Sequence, residues 1–379
     1  MFVITCAAIV ASTPIIPSPP PAYDHRKQLV RRSVALVQQT YPQLQDLAES
    51  GTLIAVPRPE NYQERRSDGY KEPELVLLVG TAHLSLQSAE DVRRVVLATK
   101  PQNVVVELCK SRSAQLYQQQ EEKEHNISET TPSSKNNKSI GNNAFSLSGG
   151  NLLESFQRTI ALGGRSALLL RVLLGNLSSK LSAEVGINSG AEFFAAREAA
   201  EQIGAQIVLG DRPIEVTLRR AWEALPRASR WKLFLELLEG VRDAQATGGA
   251  LAAAQAVEQL KDDDAVSYML SSLANKYPEA LPPLVHERDL YMAWSLKRSK
   301  AVNGTNTVVG VLGKGHMRGV CYALMHDSEN LRFRDVAGSK GKKSKGDVTK
   351  TVIQFAAETA VVSAAIYAWS QYSSSSSIP

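Results

Sequence analysis

The chain has little cysteine. Cys6, Cys109 and Cys321 are its three cysteines in 379 residues. They are too few and too scattered for a disulfide framework and read as reduced cytosolic thiols. Aromatic residues make up only 6%, and none interleaves with the strongest basic run. That run therefore offers no platform for stacked bases, which argues against a nucleic-acid partner. No basic residue precedes the short apolar run at 2–11, and Ser18-Pro19-Pro20-Pro21 follows it. A cleavable secretory signal normally begins with a charged segment, so the run fits that role poorly. No repeat recurs at solenoid spacing. Gly313-x-Gly315-x-x-x-Gly319 lacks both the dinucleotide glycine spacing and the Lys-Ser/Thr of a phosphate loop.

The charge that is present is uneven. The net charge is +5, and residues 338–350 hold five lysines against one aspartate. A lysine run beside an apolar segment suits a membrane surface. That segment, Thr351 to Tyr372, carries one charge, Glu358. It is about as long as a helix needs to be to cross a hydrocarbon core. The pattern predicts a C-terminal single membrane helix in contact with lipid, with the flanking lysines keeping the main domain in the cytosol. An amphipathic or packing helix is the other reading. Ala356, Ala360, Ala364 and Ala368 share one face at four-residue spacing, a stripe suited to a homo-oligomer in lipid.

Upstream, residues 1–70 read as irregular around one amphipathic stretch, about Gln28 to Ser50. A compact α/β domain is expected over 71–338, then a Lys-rich linker at 339–350 and the anchor at 351–372. Within the domain, residues 118–150 form a polar Ser/Asn/Thr/Gly-rich tract that cannot offset its ordering entropy, so a disordered surface insertion is expected there. Asn126-Ile127-Ser128 matches a glycosylation sequon that a cytosolic domain never presents to the enzyme. Apolar runs at 75–79 and 307–312 read as strands buried on both faces, and those at 103–106 and 205–209 as further strands. Helical patterns fill 151–203 and 214–300. Together they predict an α/β fold with a mixed or mostly parallel sheet, helical cover and a long helical insertion.

Two of these strands run into the same small pattern. Leu75–Val79 leads to Gly80-Thr81-Ala82-His83, and Thr307–Leu312 leads to Gly313-Lys314-Gly315-His316. The other two end at Glu107 and at Asp211-Arg212. In parallel sheets, ligands bind beyond the carboxyl ends of the strands, where these four ionisable positions converge. His83 and His316 with Glu107 make a three-ligand set for a divalent ion such as Mn, Co or Zn. Glu107 can instead be the general base, or begin the next helix. Arg212 can hold Asp211, pair with a developing oxyanion, or form a structural ion pair. Glu287-Arg288-Asp289 can equally be a packing cluster on a helix. His25, His125, His286 and His326 have no supporting context.

Read together, several segments resemble the TraB family, which also takes in pheromone-shutdown proteins and Tiki-type proteases. They are Val79-Gly80-Thr81-Ala82-His83, Val104-Val105-Val106-Glu107-Leu108 with Arg112, Gly190-Ala191-Glu192-Phe193, and Gly210-Asp211-Arg212-Pro213. Glu287-Arg288-Asp289-Leu290-Tyr291 and Val309-Gly310-Val311-Leu312-Gly313-Lys314-Gly315-His316 complete the set. The resemblance implies a metal-dependent peptidase site built on His83, Glu107 and His316. It further implies a tail anchor like that of eukaryotic members on the mitochondrial outer membrane. A tether is the competing class: Glu192–Glu198 resembles the FFAT motif bound by ER membrane VAP proteins, although Phe193 and Phe194 suit a core face.

Overall fold

The computed structural model describes residues 18–59, 62, 69–82, 86–116, 190–226, 228–233, 273–326, 331 and 333–337. The chain divides after Gly338. The unit from Ser339 onward, with the expected linker, membrane helix and alanine stripe, lies outside the described residues, as do His83 and the 118–150 tract. Among the described residues no helix is long and apolar enough to cross a membrane.

The elements that frame the fold run in order α1 (His25–Thr40), α2 (Gln45–Glu49), β1 (Leu53–Pro57), β2 (Leu75–Thr81), α3 (Leu86–Thr99), β3 (Asn103–Val106), α4 (Ala191–Ile203), β4 (Gln206–Leu209), α5 (Ile214–Ala224), a π-helical turn (Pro282–His286), α6 (Glu287–Arg298), β5 (Thr307–Gly313), α7 (Lys314–Met325) and α8 (Phe333–Ala337). The five strands form one sheet in the order β1-β2-β5-β3-β4. β2, β5, β3 and β4 are parallel, and β1 joins antiparallel at the edge. The expected mostly parallel sheet is present.

β1 was not among the predicted strands, whereas α1 and α2 fall on the amphipathic stretch expected at about Gln28 to Ser50. Asp24 caps α1 by accepting from the Arg26 and Lys27 backbone N–H groups. Leu29, Ser33 and Val37 of α1 are buried, and the Ser33 hydroxyl accepts the Ala55 N–H of β1 at 2.9 Å. The N-terminal part thus belongs to the domain.

The core follows the period of two that a pleated sheet imposes. Ile54, Leu78, Val105, Val308 and Leu312 pack on one face with Leu290, Leu296, Val320 and Cys321 of α6 and α7. Leu53, Leu77, Val79, Val104, Val106, Val309 and Val311 pack on the other with α3 and with Phe193 and Ala196 of α4. Both faces are covered, which is why the inner strands read as continuous apolar runs rather than alternating ones. Cys109 and Cys321 are free and buried.

Candidate functional site

Register carries the central strands to one edge together. Val106 pairs with both Leu209 and Val311, and Thr81 pairs with Gly313. The residue after each strand is therefore delivered to the same side. Glu107 continues the ladder, its N–H donating to the Val311 carbonyl at 3.0 Å, while Gly210 donates to the Val106 carbonyl at 2.8 Å. A Cβ on Gly210 would stand 2.5 Å from the Val105 Cγ1, so only glycine lets β4 lie this close to β3.

Three of the strand-end residues meet through a residue from α6. Glu107 Oε2 accepts the Gly313 N–H at 2.8 Å. Its Oε1 lies 3.1 Å from Arg288 Nη2 and 3.1 Å from His316 Nε2. Asp211 takes Arg288 through two oxygens, Nε to Oδ1 at 3.1 Å and Nη2 to Oδ2 at 3.0 Å. Arg112 donates to Asp211 Oδ2 at 2.8 Å and to the Glu107 carbonyl at 2.9 Å. His316, in the first turn of α7, has Nδ1 2.6 Å from Asp289 Oδ1, and its Nε2 lies 3.2 Å from Arg288 Nη1. Glu107, Arg112, Asp211, Arg288, Asp289 and His316 are all buried.

Electrostatics follow from that packing. Burial works against a charged imidazole, but Glu107 on one side and Asp289 on the other override it and push His316 up to about 10. Burial also pushes the Asp289 carboxyl up, against the opposing pull of His316. Both displacements favour a proton held between the two. Burial likewise disfavours ionised Asp211, yet the Arg288 and Arg112 guanidiniums hold it below the ordinary carboxylate value. Arg288 is held above its ordinary value by Asp211 and Glu107 despite its burial.

Arg212 does not join this group. Its own backbone N–H donates to Asp211 Oδ1 at 2.7 Å, but its guanidinium turns the other way. There it pairs with Glu287, donates from Nε to Thr217 at 3.0 Å, and donates to the Pro283 and Val336 carbonyls. Arg212 is a buried strut joining α5, the π-helical turn, α6 and α8, with Arg220 as a second partner of Glu287, which matches the structural ion-pair alternative for this residue although its partner is Glu287. Arg288 and Arg112 instead hold Asp211. Sequence reasoning noted the Glu287-Arg288-Asp289 triplet without assigning it to the site.

Two of the three expected ion ligands, Glu107 and His316, stand together here. Glu107 Oε1 and His316 Nε2 are 3.1 Å apart, a separation two ligands have when each lies about 2 Å from a shared ion. Asp289 sits behind Nδ1, where an outer partner would fix the ring of a ligating histidine. Among the described residues no set of three His, Cys, Asp or Glu residues could hold a metal, and His83 is outside them.

A family profile described as TraB/PrgY/gumN matches residues 152–326. The chain is 27% identical over 296 residues to a TraB domain-containing protein of Bos taurus, covering 74% of this chain and 70% of the relative. It is 29% identical over 259 residues to one of Homo sapiens, covering 65% and 61%. Over these residues the chain is similar to the TraB family. An uncharacterised protein of Methanocaldococcus jannaschii is 25% identical over 305 residues, covering 77% and 64%. The TraB domain also contains the FFAT-like segment, which lies inside α4 with Glu192, Phe193 and Phe194 buried. A partner that reads an extended peptide there would have to unfold that helix.

Proposed function

We propose that this TraB domain is a peptidase-like hydrolytic centre in which His316 and Glu107, with His83 as third donor, hold a divalent ion (Mn, Co or Zn). We further propose that residues 351–372 anchor the chain in the mitochondrial outer membrane with the domain in the cytosol. The observation that supports the first part is the buried, charge-balanced group at the carboxyl edge of the sheet. Glu107, Asp211 and Asp289 face Arg112, Arg288 and His316. Burying six ionisable groups is weak evidence for stability, because desolvation offsets most of the attraction. Burial with a specific charge partner at a strand edge is the signature of a functional site.

A divalent ion held here would supply Lewis acidity and would lower the pKa of water. The protein's own part is orientation. Asp289 at Nδ1 fixes the ring so that Nε2 faces Glu107. The Gly313 N–H pins Glu107 Oε2, so Oε1 is the oxygen presented. Arg112 ties the Glu107 backbone to Asp211, which fixes β3 against β4 at the site.

The test uses the full chain, stripped with chelator and reloaded with Mn, Co or Zn. His316→Ala and Glu107→Gln should each lower ion binding and any peptidase activity by roughly 100-fold or more, because the group that activates water is lost. A thermal melt accompanies each variant. Unchanged binding in a folded His316→Ala chain sinks the metal reading. Full rescue of a null phenotype by His83→Ala/His316→Ala favours the tether. For the anchor, deletion of 351–379 should move the chain from the membrane pellet to the soluble fraction, whereas deletion of 2–11 should not. A full-length chain found wholly in the soluble fraction removes that part of the proposal.

A further inference from the structure

A turn that precedes α1 clamps α7, the helix that carries His316, from outside. Pro20–Tyr23 close a β-turn, with the Tyr23 N–H donating to the Pro20 carbonyl at 2.9 Å. Arg318, two residues beyond His316, donates from Nε to the Tyr23 carbonyl at 3.0 Å and from Nη2 to the Pro20 carbonyl at 2.6 Å. The Tyr23 ring meets Tyr322 edge-on with centroids 5.0 Å apart, and Tyr322 stacks on His326 at 4.2 Å. Arg318, Tyr322 and His326 recur at four-residue spacing, so they line one stripe of the helix and its cap. Adjacent prolines fix the backbone of the turn, which lowers the entropy lost when it docks. The docking nonetheless has a cost. Tyr23 is buried, and its hydroxyl has no hydrogen-bond partner among the described residues. An unpaired buried hydroxyl favours the open state, where water satisfies it. Ser18, Pro20, Pro21 and Ala22 are exposed, and α1 has its own hold on β1 through Ser33.

We infer that Pro20–Tyr23 is a releasable strap over α7, and that Arg318 is the positioning residue through which it sets His316 in the site. Lys297 grips the far end of the helix, its Nζ donating to the Leu324 carbonyl at 3.2 Å, and the strap grips the middle. With the strap open, the turn that carries His316 keeps its inward contacts to Asp289 and Glu107 but loses the outer clamp. Because α1 is attached independently, the strap leaves without unfolding the helix behind it. Anything that draws Tyr23 from its seat thereby loosens the site from a side that the site itself does not face. The inference needs no bound ion and stands on the place of His316 in the first turn of α7.

The experiment follows amide hydrogen exchange and the histidine ring nitrogen signals of the full chain and three variants. Arg318→Met should speed exchange over residues 314–322 by roughly 10-fold and move the His316 signal, while exchange over α3 stays at its wild-type rate. A general loss of stability would speed α3 as well, and that result overturns the inference. Arg318→Lys keeps the charge and one donor group, and should recover part of the wild-type behaviour. Tyr23→Phe removes the unpaired hydroxyl and should act in the opposite sense, slowing exchange over 314–322 by roughly 5-fold or more. A folded Arg318→Met chain with wild-type exchange over 314–322 overturns the strap. Faster exchange with an unmoved His316 signal overturns its link to the site. Should Arg318→Met fail to fold, Tyr23→Phe decides alone. Slower exchange over 314–322 supports the inference, and unchanged or faster exchange overturns it.

Discussion

At the scale of single residues, the site depends on a missing side chain. Gly319 lies one turn beyond His316 on α7, and a Cβ there would meet Asp289 Oδ2 at 1.8 Å and Cγ at 2.4 Å. Asp289 is short, buried and hydrogen-bonded to His316, so it cannot swing aside as the end of a lysine could. Gly319→Ala is therefore expected to destabilise the domain by about 1–3 kcal/mol and to push Asp289 off the imidazole. A melt of Gly319→Ala with and without Asp289→Ala checks this. The cost of the methyl should largely vanish once the carboxylate is gone, and strict additivity would refute the steric account. The glycine pattern around residue 319 looked in the sequence like a poor phosphate loop. Its reason is contact with a residue thirty positions upstream, which no local pattern records. Arg288 and Asp289 were hidden for a related cause. Neighbouring positions on a helix point about 100° apart, so one charged triplet serves two clusters, Glu287 holding Arg212 and Arg220 while the next two residues enter the site.

At the scale of elements, legibility followed apolar density. β2 and β5 are buried almost throughout, and such runs cannot be mistaken for surface segments. The polar residues ending β3, β4 and β5 could be assigned to one edge because parallel strands all point the same way. β1 escaped for physical reasons as well. It is five residues long and ends in Pro57, and antiparallel addition at a sheet edge needs no distinctive pattern of its own. Proline is tolerated there because, on an edge strand, the N–H it lacks is one that faces away from the paired neighbour. The π-helical turn over Pro282–His286 was equally hidden, since two adjacent prolines argue only for a break. It opens α6 directly before Glu287, at the point where the chain divides its charges between the strut and the site. Adjacency to Asp211 in sequence did not reveal that the Arg212 guanidinium turns to Glu287.

At the scale of the whole molecule, acid should open the domain through its interior. Asp211 has a lower pKa folded than its ordinary value of 3.8. A carboxylate depressed on folding contributes stability above its unfolded pKa and loses it as pH falls through the folded one. Unfolding free energy is therefore expected to drop as pH is lowered from about 4, and Asp211→Asn should show a shallower drop over the same range. Denaturant melts at several pH values decide it, and parallel curves for the two proteins would contradict the assignment. The variant starts from a lower stability, since removing one partner of a buried pair costs about 3–5 kcal/mol, so the slopes and not the midpoints are compared.

The strand order has a consequence in time. β1 can pair with β2, and β3 with β4, as soon as each is made, but β5 is the strand that joins the two pairs. The Thr81 hydroxyl donates to the Leu312 carbonyl, 231 positions later in the chain. During synthesis two half-sheets must wait with open inner edges until the last strand emerges, and contacts of such separation form slowly. His316 arrives directly behind that strand. A nascent or truncated chain therefore carries Glu107 and Asp211 without their histidine, and the centre comes into being in one late event, when the finished domain closes around β5.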